Sequence, residues 1–152
     1  MKKLFLIFFV FMLSTQTANA EKLPIKITPT QVISTYNNEI EVEDWIKFKV
    51  VNDVYYNEKL YIKTDTIVTG IVDNVHENGI IADNAEIVFK KFVLRDVNNK
   101  LVKINYTLTL NRDNAECYGL GYKIKKYIGF IFKGNEIYVK PETTTYNLFL
   151  DK

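Results

Sequence analysis

The sequence predicts an all-β fold, either a small antiparallel barrel or a two-sheet sandwich, behind a cleaved N-terminal signal peptide. Three observations support this class. Apolar and polar residues alternate over several short segments, β-branched and aromatic residues dominate those segments, and clusters of Asn, Asp and Gly separate them. After residue 20, no long window carries a helical stripe. We therefore expect strands joined by turns.

Residues 1–20 have the pattern of a secretory signal peptide. Lys2 and Lys3 precede an apolar run from Leu4 to Leu13, and Ala18-Asn19-Ala20 matches the small-x-small site that signal peptidase cleaves. Such a run spans about 15 Å as a helix, half of a bilayer core of roughly 30 Å. It suits a cleaved targeting segment better than an anchor, so we expect an exported protein, either periplasmic or extracellular.

Residues 21–44 are expected to form an extended N-terminal arm, and residues 45–152 one β domain. Pro24 and Pro29 interrupt the short apolar patches of the arm, and an acidic stretch at 39–44 ends it. The chain that remains after the signal peptide is long enough for one hydrophobic core.

The first predicted strands of the domain begin at Trp45. Residues 45–51 alternate with period two, which indicates one buried face, and two short strands at 54–56 and 60–62 flank the turn Asn57-Glu58. Residues 66–75 are rich in β-branched side chains. Gly70 in their middle marks a bulge, a bend or a close approach of another backbone, and it favours the barrel over the sandwich.

The second half of the chain continues the same pattern. Asn78-Gly79 predicts a tight hairpin with the return strand starting at Ile80. Residues 86–94 contain Lys90-Lys91 within an apolar run, as in a strand that passes from one packing face to another. Residues 102–110 alternate most clearly of all, and two short strands at 137–140 and 146–150 close the chain.

Charge argues against nucleic acid as a partner. Without Lys2 and Lys3, the 18 remaining Lys and Arg residues equal the 18 Asp and Glu residues. Proteins that bind nucleic acid need an excess of cations to displace counterions, so a neutral chain is a poor candidate unless its charges are strongly segregated.

The sequence offers no catalytic residues, no metal ligands and no cofactor fingerprint. His76 is the single histidine, which rules out a site with two imidazoles and fits a surface position beside a turn. Cys117 is the single cysteine and is read as an inert small residue. The Asp/Asn clusters at 83–86 and 113–116 lack the alternating ligands of a calcium loop and are explained as turns.

The candidate binding segment is a glycine-rich stretch at 118–134 that places lysines beside aromatic rings. Aromatic rings beside ammonium groups suit a membrane interface, an anionic cell-wall polymer or a sugar face. An alternative is a strand whose aromatics complete the core while its lysines stay hydrated. The residues predicted to bind are Tyr122, Lys123, Lys125, Lys126, Tyr127, Phe130 and Phe132.

Part of the chain resembles the C-terminal β-barrel domain of type IV secretion channel subunits. The resemblance covers about residues 54–110 and rests on Leu60-Tyr-Ile-Lys-Thr-Asp-Thr-Ile-Val-Thr-Gly-Ile-Val and on Val97-Asn-Asn-Lys-Leu-Val-Lys-Ile. Thr64-Asp65 stands where that pattern has a glycine, and Asn98-Asn99 replaces its Asp-Gly turn. The resemblance implies a barrel and a role in envelope assembly, and it carries over no catalytic residue.

These observations favour a non-enzymatic exported domain that binds an envelope protein or a cell-wall or membrane polymer. Peripheral contact with a membrane surface is compatible with this hypothesis, and the sequence does not fix the oligomeric state. The alternative is a small secreted hydrolase or ligand carrier, which would need a pocket where Glu43 or Asp44 meets Glu86. A secreted inhibitor or colonisation factor is a third hypothesis.

Overall fold

A computed structural model describes residues 22–36, 39–79, 83–115, 117–118 and 134–152. These residues form strands and no α-helix, which confirms the predicted all-β class. The strands are β1 (Lys22–Pro29), β2 (Ile33–Ser34), β3 (Trp45–Val50), β4 (Val54–Tyr56), β5 (Lys59–Ile62), β6 (Ile67–His76), β7 (Glu86–Arg95), β8 (Leu101–Leu110), β9 (Cys117–Tyr118), β10 (Glu136–Val139) and β11 (Tyr146–Asp151).

The main sheet is a nearly closed six-stranded antiparallel barrel. Its strands follow the order β11-β1-β3-β6-β7-β8. Cα atoms of the two outer strands, β8 and β11, come within 8 Å of each other. The rings of Tyr106 on β8 and Phe149 on β11 lie 5.6 Å apart at this seam. The predicted barrel is therefore confirmed over the sandwich.

Two smaller sheets accompany the barrel. One has the order β2-β10-β9, and the other is the hairpin of β4 and β5. The predicted Asn57-Glu58 turn joins this hairpin, and both residues have positive φ angles of 49° and 62°. Two consecutive positive φ angles match the twist of a two-residue hairpin, so the turn lets β4 and β5 pair tightly.

Side chains fill the interior of the barrel. Phe48, Phe89 and Phe92 are fully buried, and the ring of Phe48 lies 5.6 Å from that of Phe89 and 6.0 Å from that of Phe92. These edge-to-face contacts are favourable beyond the apolar area they bury. The barrel is thus closed by packing and does not surround a channel at this level.

Gly70 makes room for two of these rings. A Cβ atom at this position would lie 2.8 Å from Cε1 of Phe92 and 3.0 Å from Cε2 of Phe48. The close approach predicted at Gly70 is therefore made by aromatic side chains. A register shift between Ile71 and Val72 follows directly, as expected of a bulge beside a glycine.

Bulges interrupt the alternation of β6 and β7. Lys90 and Lys91 are both exposed, while the residues on either side of the pair face the interior, and Asp73 and Asn74 on β6 are both exposed as well. Nζ of Lys90 lies 2.6 Å from Oδ2 of Asp73. The Lys90-Lys91 pair thus marks a bulge. Because of this bulge, residues before and after the pair face the same core.

Residues 21–44, which were predicted to form an extended arm, contribute a strand to the barrel. Residues 22–29 form β1, which pairs with β11 along its length and with β3 near its end. Residues of a strand direct their backbone nitrogens alternately to the two neighbours. The carbonyl of Lys26 accepts from the backbone N–H of Val51, just beyond β3, and the backbone nitrogen of Pro24 faces the same side. The pairing of β1 with β3 begins only at Ile27, so the missing N–H of Pro24 removes no hydrogen bond from the sheet. The two prolines concealed this strand in the sequence.

The Asn78-Gly79 prediction of a tight hairpin is wrong. β6 ends at His76 and β7 begins at Glu86, so a longer connection separates two strands that do pair. Asn78 is buried and donates its side-chain amide to the carbonyl of Gly134 at 2.7 Å. Asn78 therefore connects the loop after β6 to the segment that precedes β10, instead of forming the tight turn.

Candidate functional site

The predicted binding residues Tyr122, Lys123, Lys125, Lys126, Tyr127, Phe130 and Phe132 lie outside the described residues. Their role stays a prediction. The side chain of Cys117 also lies outside the described part, although its backbone pairs with Ile137 of β10.

His76 pairs with a carboxylate at the surface. Its Nε2 lies 2.9 Å from Oδ2 of Asp83, and both side chains are 52% exposed. The pair holds the two ends of the connection between β6 and β7 together. Within the described residues, no group of three or more His, Cys, Asp or Glu side chains is placed to hold a metal ion.

Of the two Asp/Asn clusters, the one at 113–116 begins in a local turn, as predicted, whereas Asn84 of the other contacts a distant segment. Oδ1 of Asn111 accepts from the backbone N–H of Asp113, and Oδ1 of Asn114 accepts from that of Asn111, both at 3.0 Å. Oδ1 of Asn84 accepts from the backbone N–H of Asn135 at 3.1 Å. Oxygens engaged in this way satisfy the backbone of the loops.

A row of cross-strand neighbours on the outside of the barrel carries unopposed positive charge. Lys47 on β3 lies opposite Thr69 on β6, which lies opposite Val93 on β7, which lies opposite Lys103 on β8. The parallel row next to it runs Trp45, Ile71, Lys91 and Asn105. Lys47, Lys91 and Lys103 are exposed, and we call their surface the cationic face.

The cationic face has no carboxylate in the strand segments that surround its three lysines, although Asp73 and Glu86 lie further along β6 and β7. Residues 45–50, 67–72, 87–95 and 101–110 contain no Asp or Glu. Among the described residues, the ion pairs of the barrel's lysines belong to Lys49 and Lys90. Since strands lie about 4.8 Å apart, Lys47 and Lys103 are roughly 14 Å apart within one row, and Lys91 lies in the neighbouring row. Three ammonium groups thus share one surface.

Lys49 differs from these lysines because two turns neutralise it. Its Nζ lies 2.8 Å from Oε1 of Glu142 and 3.4 Å from Oδ1 of Asp65. The hydrogen bond to Glu142 raises the pKa of Lys49 above its ordinary 10.5. Both carboxylate residues have a φ of 60°, so each partner sits in a tight turn beside β3.

A cleft of about 280 Å³ adjoins the cationic face at Trp45. Its polar lining comes from Gln31, Ser34, Glu39 and Asp44. Oδ2 of Asp44 accepts from the backbone N–H of Glu41 at 2.8 Å and so closes the acidic turn. Trp45 also lines the cleft and is 71% exposed.

The carboxylate pair required by the enzyme alternative is not assembled in this cleft. Asp44 lines it, but Glu86 does not, because Glu86 lies opposite His76 at the start of β7. The acidic stretch at 39–44 therefore contributes to a small surface cleft.

Among the described residues, no helix is long and apolar enough to cross a bilayer.

The sequence contained a partial signal for the cationic face. Lys47 alternates with buried Ile46 and Phe48, and Lys103 with Val102 and Ile104, so both were expected on the outside. The strand register, which brings residues 47 and 103 into one row, is set by long-range pairing and cannot be read from local pattern.

No family model matches the chain, and no curated protein and no solved structure matches it either.

Proposed function

We propose that the protein is a non-enzymatic exported β domain that binds an anionic polymer of the cell envelope through the cationic face. The observation that carries the proposal is the placement of Lys47, Lys91 and Lys103 on neighbouring strand segments that contain no carboxylate, in a chain whose charges after residue 20 sum to zero. Export rests on the signal-peptide pattern of residues 1–20.

Charge segregation supports a polymer as the partner. Ammonium groups at roughly 7–14 Å spacing match successive anionic groups along an extended chain better than a single small anion. Each exposed ion pair is weak, at about 0–1 kcal/mol. Several together give useful affinity when one polymer bridges all of them, because later contacts form within the same complex.

A charge-reversal experiment tests this function. The purified protein is sedimented with bacterial sacculi before and after their anionic polymers are removed. Changing Lys47, Lys91 and Lys103 to Glu should lower retention on intact sacculi about tenfold, which corresponds to about 1.4 kcal/mol. Retention of the unaltered protein should also fall as salt increases.

The matched control changes Lys59, Lys63 and Lys140 to Glu. These lysines are exposed and lie outside β3, β6, β7 and β8. Because both variants change three lysines to glutamate, they have the same net charge. It should retain the binding of the unaltered protein within about twofold, as expected for charges away from the contact surface. Equal loss in both variants, or stronger binding to duplex DNA than to sacculi, would contradict the proposal.

A further inference from the structure

The cleft beside Trp45 has the chemistry of a sugar subsite. Indole presents a flat apolar surface with a polar edge, and such rings pack well against the C–H face of a pyranose. Trp45 is 71% exposed at the start of β3, where it lies opposite the half-buried Ile71. The indole is thus available to a ligand that approaches the outer surface of the barrel.

The size and lining of the cleft fit one sugar ring. Its volume of about 280 Å³ is just under the roughly 300–1,000 Å³ of typical ligand pockets. Glu39 and Asp44 supply carboxylate oxygens that accept hydrogen bonds from hydroxyls. Oε1 of Gln31 accepts from the backbone N–H of Lys47 at 3.4 Å, which directs its amide group along the same edge.

Charge decides which sugar unit fits. An anionic group inside the cleft would face the carboxylates of Glu39 and Asp44, so like-charge repulsion favours an uncharged unit there. Lys47 lies two residues from Trp45 on the same face of β3, about 7 Å away. An acidic group on the next sugar would meet this ammonium.

We infer that the polymer is an anionic polysaccharide in which uncharged and acidic sugars alternate. An uncharged ring stacks on Trp45 and enters the cleft, while the acidic neighbours lie along Lys47 and Lys91. This inference rests on the proposed function and names the substrate class of the same surface. It distinguishes such a glycan from polyphosphate, nucleic acid or a polymer with an acid on every sugar.

Trp45 reports binding directly because it is the single tryptophan of the chain. Its emission is titrated with hyaluronan, whose acidic and uncharged sugars alternate, and with polygalacturonate, polyphosphate and dextran. Hyaluronan should cause a saturable change in emission that the other three do not cause. Polyphosphate should still bind through the cationic face when measured by calorimetry.

Two variants separate the cleft from the cationic face. Trp45→Ala should weaken hyaluronan about tenfold, as for loss of an aromatic anchor, and leave polyphosphate binding within about twofold. Glu39→Gln should strengthen polygalacturonate, because it removes a repelling charge. Tyr55→Ala, which alters another exposed aromatic on β4, is the control and should change neither affinity.

The outcomes are distinguishable. If Trp45→Ala leaves hyaluronan affinity unchanged, or if polyphosphate alters the emission equally, the sugar subsite is overturned while polyanion binding stands. If no polyanion binds and the charge-reversed protein behaves like the unaltered one, the proposed function fails together with the inference. Circular dichroism of each variant confirms that its sheet is intact.

Discussion

Gly70 shows how one missing side chain fixes the packing of the barrel. Phe48 on β3 and Phe92 on β7 both reach across β6 at this residue, and the absence of a Cβ lets their rings meet. Protein interiors are packed to crystal-like density, so no slack is expected around these rings. The glycine is therefore required by the volume of two neighbours, and none of the positive φ angles falls on a described glycine.

Gly70→Ala should destabilise the protein by about 1–3 kcal/mol, the usual cost of overpacking a core. Urea unfolding measures the change. Gly79→Ala is the comparison, since its Cβ would meet the side chain of Asp83 at the surface, with Oδ2 at 2.7 Å, and relief of this contact loosens only the exposed pair with His76. That variant should lose less than about 1 kcal/mol.

A double mutant tests the cause of the Gly70 effect. Phe92→Leu shortens the side chain that approaches Gly70 at 2.8 Å, so it should recover part of the stability lost in Gly70→Ala. Additive effects of the two substitutions would mean that the overlap with Phe92 is not the source of the strain.

At the scale of elements, Lys49 joins β3 to two turns. Its ammonium contacts Glu142, which precedes β11, and Asp65, which precedes β6. The pKa of Lys49 is raised above 10.5 in the folded state, chiefly by the hydrogen bond to Glu142. A raised pKa means that this contribution to stability is complete below the unfolded-state pKa and is lost as pH rises through the folded-state pKa.

Comparison with Lys49→Met isolates this contribution from the other groups that titrate in alkali. Thermal unfolding of both proteins is followed from pH 7 to pH 12. The melting temperature of the unaltered protein should exceed that of the variant by a constant amount in the neutral range, and the gap should close above about pH 10.5. A gap that persists to pH 12 would show that the ammonium is not its source.

Elements with strict alternation could be predicted from the sequence, and elements set by long-range contacts could not. β3 and β8 follow the period-two pattern closely, and the predicted turn at Asn57-Glu58 joins β4 to β5. β1 was not predicted because Pro24 and Pro29 are uncommon within paired strands. Asn78-Gly79 misled because the local preference for a tight turn yielded to the bond between Asn78 and Gly134.

The candidate site shows the same limit. Local pattern placed Lys47 and Lys103 on the outside of their strands, but only the pairing of β3, β6, β7 and β8 brings them together. Likewise, the sequence shows the acidic stretch at 39–44 but not the cleft that Glu39 and Asp44 line. The role of this stretch beside Trp45 depends on where residues 31–34 return to the barrel.

At the scale of the whole molecule, a neutral chain separates its charges. The cationic face occupies four adjacent strands, and the acidic stretch at 39–44 leads into β3 from one end. Exposed charges interact over about 8 Å at physiological salt, so the cationic face acts as a local field instead of a property of net charge. Such local segregation of charge is what the proposed binding of a polyanion by a neutral chain requires.

The unit that folds should begin at β1. Leu23, Ile25 and Ile27 are buried in the core, and β1 is the partner of β11 along its whole length. A chain that starts at Trp45 would expose one edge of β3 and release β11, leaving four strands with an open core. We expect it to lose its cooperative unfolding transition and to bind a hydrophobic dye such as ANS. A chain that starts at residue 21 is the control and should unfold cooperatively. If the chain that starts at Trp45 instead unfolds with the same midpoint as this control, residues 21–44 are the dispensable arm that their prolines suggested, and the pairing of β1 contributes nothing to the barrel.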